Sequence, residues 1–496
     1  MSDLRGWRLG AVAAGAGALA GLGQVPFSLV PLALVALAVC CWLFLRAETW
    51  RHAAFVGWLA GAGYFAVTLH WIVEPFLIDV PRHGWMAPFA LLFSAFGFSL
   101  FWAAAFGAAH ALSRPGWLRA VAWAVAMTSG EMLRGYVLTG FPWAMLGYVW
   151  SESTAAQLVA VIGPYGLTLL TLLGAGLAGY AARLWLRAAI LVGLWVWVTG
   201  AGLLLLQRET PVAANPEAPV IRLVQPNAPQ HQKWDPEFAA AFFARQIEFT
   251  AAPGTPDLTI WPETAIPWLA EPDHPALLRI AGAAQDRPVV IGAQRNEGWR
   301  AFNSLLLLGP GGAIKAIYDK HHLVPLGEYI PFGELARAIG LRSFAARDGY
   351  GFSAGPGPVL LDLGPLGQAL PLICYEAVFP QDMRGTDRPD WLLQITNDAW
   401  FGTFAGPQQH LAQARLRAIE QGLPLLRAAN TGISGVIDAH GRLLQSIPLG
   451  QAGFIDVALP KARPATPYAR MGDLPLALVL LALCGALFGQ ALRKDD

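Results

Sequence analysis

From Gly10 to Leu45 the chain carries no charged residue. A helix needs about 20 apolar residues to cross a bilayer, so this run is long enough for two passes. Gly21-Leu-Gly-Gln-Val-Pro-Phe-Ser28 supplies a break between them. Further apolar stretches follow at 54–73, 85–112, 117–136, 155–182 and 187–206, and a last one at 474–491. The sequence therefore predicts seven spans, a long polar region and an eighth span. Composition agrees: 55% of residues are hydrophobic and 14% charged, where a soluble protein carries roughly 25% charged residues.

Charge placement orients the spans. With the N-terminus in the cytoplasm, the inside segments hold Arg5, Arg8, Arg46, Arg51, Arg114, Arg119, Arg183, Arg187, Arg493 and Lys494, and the short outside loops hold Arg82 and Arg134. That is a positive-inside pattern. It predicts a seven-span bundle over 1–208, a domain outside the membrane over 209–472 and a C-terminal transmembrane helix over 473–496, with both termini cytoplasmic. Residues 1–22 can also be read as a cleaved signal peptide started by Arg5 and Arg8, but the second apolar run follows too closely for a typical mature start. The net charge of +1 gives no reason to expect a nucleic-acid partner. Glu131 and Arg134 share a helix face and can pair; the other reading is contact with a lipid head group. Trp143 and Tyr148, in the loop Thr139-Gly-Phe-Pro-Trp-Ala-Met-Leu-Gly-Tyr148, suit a membrane interface.

The polar region alternates short apolar strands with helices. Val220–Val224, Leu258–Trp261, Pro288–Ala293, Ser304–Leu308, Ala313–Tyr318, Val359–Leu363, Ala369–Cys374, Trp391–Thr396, Leu423–Ala428 and Ser434–Asp438 read as strands; Phe238–Thr250 and Gln409–Gln421 read as helices. This is an α/β pattern without sequence repeats. Asp348–Pro358 is rich in glycine and reads as a mobile loop.

Three residues stand just after strands: Glu263 in Trp-Pro-Glu-Thr, Lys320 in Tyr-Asp-Lys-His-His-Leu-Val-Pro-Leu-Gly-Glu-Tyr, and Cys374 in Leu-Ile-Cys-Tyr-Glu. Strand ends in α/β folds are where active sites assemble. Cys40, Cys41 and Cys484 lie in apolar runs, whereas Cys374 is the one cysteine of the polar region. No cysteine spacing suggests a zinc site. A thiol must lose its proton before it attacks a carbonyl, a carboxylate can take that proton, and an ammonium can stabilise the oxyanion that forms. Cysteine, glutamate and lysine thus make a complete set for acyl transfer through a thioester.

Trp-Pro-Glu-Thr, Lys-x-x-Leu-Val-Pro-x-Gly-Glu-Tyr and Ile-Cys-Tyr-Glu resemble the three motifs of the nitrilase, or carbon–nitrogen hydrolase, superfamily. Asn397-Asp-Ala-Trp-Phe-Gly402 and Arg427-Ala-Ala-Asn-Thr-Gly-Ile-Ser434 fit the same pattern. With eight spans, Val224-Gln-Pro-Asn, Lys233-Trp234 and the Thr-Gly-Phe-Pro-Trp loop, the chain is similar to one branch, the apolipoprotein N-acyltransferases. One departure is Leu326, where the family usually has Phe.

The resemblance implies a membrane bundle of about eight spans joined to a nitrilase-like four-layer αββα sandwich. It implies Cys374 as nucleophile, Glu263 as general base and Lys320 as oxyanion stabiliser. Glu328, Tyr375 and Glu376 would support them, and Trp234 and Trp143 would bind substrate. The acyl donor would be a phospholipid and the acceptor a diacylated apolipoprotein, with no cofactor and no metal. The enzyme would be a monomer in the bacterial inner membrane, its catalytic domain periplasmic. Two rivals use the same residues differently. A membrane-tethered amidase would pass the acyl group to water. A transporter with an outer ligand-binding domain would need ionisable residues along its spans, and few beyond Glu131 and Arg134 are present.

Overall fold

A computed structural model describes residues 7–207, 218–331 and 351–492. Arg5, Arg493, Lys494 and residues 348–350 of the expected loop lie outside the described residues. The described chain divides into two compact units: residues 7–207, 404–416 and 465–492 form a helical unit, and residues 218–331, 351–403 and 417–464 form an α/β unit.

Each apolar run of the sequence forms a helix. These are α1 (Trp7–Gly21), α2 (Val30–Leu45), α3 (Trp50–Thr68), α4 (Ala87–Ala111), α5 (Trp117–Tyr136), α6 (Val159–Tyr180), α7 (Leu184–Gln207) and the C-terminal helix Leu474–Leu492. Among the described residues, three helical segments are both long and apolar enough to cross a membrane: Val80–Ala111, Thr154–Tyr180 and Leu184–Gln207. A fourth is the pair Trp50–Thr68 and His70–Leu77, bent by 67°. The remaining apolar helices are shorter, or carry charges as α5 does with Arg119, Glu131 and Arg134. Glycine lets α1 and α3 touch backbone to backbone: a Cβ on Gly17 would stand 1.7 Å from the Ala60 carbonyl oxygen, and one on Gly63 2.0 Å from that of Ala14.

Glu131 and Arg134 pair at 3.3 Å with both side chains 1% exposed. Arg134 also donates to the carbonyls of Phe141 and, at 2.7 Å, Trp143, while Glu131 accepts from the Leu146 N–H at 2.8 Å. The pair is a clamp on the loop that follows α5.

In the α/β unit two six-stranded sheets form. The first contains β1 (Val220–Gln225), β2 (Leu258–Ile260), β3 (Val289–Glu297), β4 (Arg300–Leu308) and β5 (Ile314–Asp319). The second contains β6 (Leu361–Asp362), β7 (Gln368–Ile373), β8 (Trp391–Thr396), β9 (Leu425–Ala429), β10 (Ser434–Ile437) and β11 (Leu443–Ile447). The last strand, β12 (Gly453–Ala458), returns to the first sheet. The orders are β12-β1-β2-β3-β4-β5 and β11-β10-β9-β8-β7-β6. In both, two consecutive parallel pairings (β1 with β2 and β2 with β3; β7 with β8 and β8 with β9) are flanked by antiparallel ones. The unit therefore repeats its pairing pattern although its sequence does not repeat.

Parallel strands buried on both faces read as continuous apolar runs, which is why β8 and β9 are buried throughout. One core joins Ile221, Ile260 and Leu305 of the first sheet to Ile373, Leu393 and Leu426 of the second. A second core packs the other face of the first sheet, through Trp261, Ile291 and Leu306, against α8 (Pro236–Ala251) and α9 (Pro275–Ala283). Strands β11 and β12 and helix α9 were not anticipated. β11 is largely exposed and β12 largely half-buried, so neither carries a continuous apolar signal.

Candidate active site

Glu263 follows β2, where the Thr259 and Trp261 N–H groups donate to the Pro288 and Val290 carbonyls at 3.1 and 2.8 Å. Beyond the strand, the Gly292 N–H donates to the Pro262 carbonyl at 3.1 Å and the Ala265 N–H to that of Gly292 at 2.7 Å. A Cβ on Gly292 would lie 2.5 Å from both Glu263 Cα and the Pro262 oxygen, so only glycine permits this approach. The Glu263 carboxylate accepts from Asn303 Nδ2 at 2.7 Å and from the Asn397 N–H at 2.8 Å.

Lys320 follows β5, its N–H bonded to the Asn303 carbonyl at 2.9 Å. Its side chain is 1% exposed and reaches Glu328 at 2.8 Å and Glu263 at 3.7 Å. Asn303 Nδ2 also donates to Glu328 at 3.0 Å, and the other Glu328 oxygen accepts from the Val324 N–H at 2.9 Å. Glu263, Lys320, Glu328 and Asn303 are thus one buried cluster. Burial works against the Lys320 charge, but Glu328, Glu263 and Cys374 outweigh it and hold the ammonium above the ordinary lysine range.

Cys374 begins the turn after β7 and has φ +53°. This left-handed conformation is strained for a residue with a side chain. Gln394 Nε2 donates to its carbonyl at 3.2 Å. Burial, and then the Glu263 charge, push the thiol well above its ordinary pKa; Lys320 and a hydrogen bond with Thr396 act the other way. The resting group is a thiol that feels both Glu263 and Lys320.

Glu376 is fully buried and ties this turn to the loop after β5. One oxygen accepts from the Ile373 N–H at 2.7 Å; the other accepts from the His321 N–H and the Tyr318 hydroxyl, both at 2.8 Å. His321 and His322 pair with Asp382 as well. Burial opposes a charge on His321, but Asp382 and Glu376 prevail and hold it up to about 9. Tyr375 is buried, with its ring edge-on to Phe379.

Trp234 is half-buried and lines a crevice with Lys233, Phe242, Pro262, Thr264 and Ile266. Trp143 belongs to the helical unit and is 1% exposed. Its indole N–H goes to Gln409 Oε1 at 2.7 Å, and its ring packs on Trp71 at 4.6 Å. Leu326 is exposed with φ +66°, in the turn closed by its N–H to the Tyr329 carbonyl at 2.7 Å. The sequence reading missed Asn303, which joins the two carboxylates. The one signal for it was a polar residue in the apolar strand Ala301-Phe-Asn-Ser-Leu-Leu-Leu-Leu308.

Residues 16–177 match the model of the apolipoprotein N-acyltransferase N-terminal domain, and residues 221–465 match that of carbon-nitrogen hydrolase. Curated apolipoprotein N-acyltransferases are similar along nearly their whole length. That of Rhodopseudomonas palustris is 38% identical, covering 96% of this chain and 94% of its own; that of Caulobacter vibrioides is 39% identical with the same coverage. Among solved structures, a CN-hydrolase superfamily protein from Xanthomonas campestris aligns with TM-score 0.37 and 20% identity over 54% of this chain and 97% of its own. An amidase from Nesterenkonia sp. aligns with TM-score 0.37 and 18% identity, over 54% and 99%.

Proposed function

The chain belongs to the apolipoprotein N-acyltransferase family, and from that premise we propose a two-step acyl transfer through Cys374. In the first step Glu263 takes the thiol proton as the sulfur attacks an ester carbonyl of a phospholipid. The oxyanion forms against the Lys320 ammonium and the Tyr375 N–H. Its collapse expels a lysophospholipid, protonated by Glu263, and leaves a thioester on Cys374. In the second step the α-amino group of a diacylglyceryl-cysteine lipoprotein attacks the thioester. An α-amino group has a pKa of about 8, so removal of its proton by Glu263 assists. The products are an N-acylated lipoprotein and the free thiol. No metal or organic cofactor enters.

The raised pKa of Cys374 fits this assignment of roles. A resting thiol resists adventitious oxidation and alkylation, and becomes a nucleophile only as a base takes its proton. Glu328 holds Lys320 in place. Glu376 holds the Cys374 turn against the loop that carries Lys320. Trp234 contacts substrate at the crevice; Trp143, being buried, serves by anchoring the loop that follows α5.

The eight apolar helices among residues 7–207 and 474–492 span the bacterial inner membrane, both termini cytoplasmic. The α/β unit, residues 218–331, 351–403 and 417–464, is a periplasmic αββα domain, and the enzyme acts as a monomer. Both substrates carry acyl chains held in lipid. Extracting one long chain into water would cost on the order of 10 kcal/mol at about 0.8 kcal/mol per CH₂, so a membrane-held site that admits substrates laterally avoids that cost.

The observation that carries this reading is the cluster at the strand ends: one base, one ammonium and one thiol whose charges act on each other. Intact-mass analysis after incubation with phospholipid tests it, for the wild type and Cys374→Ser. An acyl mass on the wild type alone, removed by hydroxylamine and passed to a diacylated lipopeptide, supports it. A thioester that decays only to free fatty acid makes the protein a hydrolase. No acyl mass on folded wild type sinks the thioester.

A further inference from the structure

Lys233 is 6% exposed, and a buried ammonium is costly unless it is well partnered. Its Nζ donates to the Glu263 carbonyl at 3.1 Å and to Thr264 Oγ1 at 2.9 Å. The turn it grips is strained, with Thr264 at φ +45°. Gly292 presses on the same turn through its backbone. Asn303 and the Asn397 N–H orient the Glu263 carboxylate, while Lys233 and Gly292 hold the backbone that carries it. The Trp234 ring lies 5.4 Å from Nζ. The titratable groups whose charges reach Lys233 are Glu263 and Cys374.

We infer that Lys233 is a positioning residue of the acyl-transfer site, fixing the turn that carries Glu263. This rests on the acyl-transfer reading. A neutral amide could bond to the same two acceptors at a lower desolvation cost. A cation there makes the grip pH-dependent, as an amide would not. Burial draws the Lys233 pKa down to about 8 while Glu263 and Cys374 hold it up, so its charge fades as pH rises through that value.

Two readouts on the full-length enzyme test this with Lys233→Met and Lys233→Arg, the first in phospholipid–detergent micelles and the second in detergent alone. The first is the rate of Cys374 acylation by phospholipid. The second needs no lipid: the pH profile of iodoacetamide alkylation, followed on the Cys374 peptide. Lys233→Met is expected to acylate at least about ten-fold more slowly with the phospholipid KM little changed, and its alkylation profile should move to higher pH, because a displaced Glu263 no longer takes the thiol proton. Lys233→Arg, which can still donate to both acceptors, should recover part of the rate and bring the profile back toward that of the wild type. A wild-type rate and profile in Lys233→Met overturns the inference. So does an equal loss in both variants with an unmoved profile, which would make Lys233 a structural cation. If wild type never gains an acyl group, the transfer reading fails by itself. The alkylation profile then still decides whether Lys233 positions Glu263, and an unmoved profile overturns it.

Discussion

Both units of the molecule bury a carboxylate against a cation, yet the two arrangements are built differently. In the helical unit Glu131 and Arg134 use their remaining capacity on the backbone of one nearby loop, at Phe141, Trp143 and Leu146. In the α/β unit Lys320 stands between Glu263 and Glu328, with Asn303 bridging the carboxylates and the Cys374 thiol within their field. The first set is one acid and one base closed on a loop. The second holds two acids around one base, drawn from separate strand ends, next to a group that can gain or lose a proton. Burial of an ion pair alone therefore does not mark chemistry. Unequal partners converging from distant segments beside a thiol are what make the second set the candidate site.

The largest expected effect separates the two directly. Cys374→Ala should abolish acyl transfer, a loss of at least about a thousand-fold, with little change in melting temperature. Glu131→Gln should do the reverse: breaking a buried pair costs about 3–5 kcal/mol, while turnover per folded molecule stays near wild type. A Glu131→Gln enzyme that melts normally but turns over slowly would break the comparison.

Glu263→Gln is expected to slow acylation by about a hundred- to ten-thousand-fold, measured as the rate of acyl-mass gain on Cys374. Asn303→Ala, which removes a donor shared by both carboxylates, should cost less, about ten-fold, with Lys320 still in place. Equal losses in the two variants would mean that orientation rather than basicity is the contribution of Glu263.

A pH scan of stability sharpens the same contrast. His321 is held up to about 9 by Asp382 and Glu376, against burial. A group whose pKa is raised on folding stabilises fully below its unfolded value, about 6.5, and that contribution fades as pH rises through 9. The melting temperature should fall across this window, and less so in His321→Gln. An identical slope in the variant would show that other groups set it.

The smallest effect concerns Gln409, on helix α10 (Gly406–Gln421). Its Oε1 accepts from Trp143 and Trp71, and its Nε2 donates to the carbonyls of Val25 and Thr68. Gln409→Leu would leave buried partners unmet at roughly 1–3 kcal/mol. A modest drop in melting temperature is expected, with activity per folded molecule retained.

Local order was readable from the residues. The charge-free run Gly10–Leu45 gave α1 and α2, and the apolar run Trp391–Thr396 gave β8 to the residue, because side-chain periodicity and the absence of charge are local properties. Glu263, Lys320 and Cys374 were readable as candidates because each follows a strand in a distinctive motif. Their convergence was not, since it depends on hydrogen bonds between segments far apart in sequence, such as the Asn397 N–H to Glu263. The same reason hid the repeated pairing of the two sheets, which lives in backbone register rather than side-chain identity. It also hid the membership of residues 404–416 in the helical unit, which Gln409 secures by bonds no local pattern encodes. By itself the sequence determined which segments become helices and strands and which residue types are available for chemistry. Only the tertiary structure decided which buried charges close on a loop and which are left facing a thiol, because a buried polar group acquires its role from the partners that replace water.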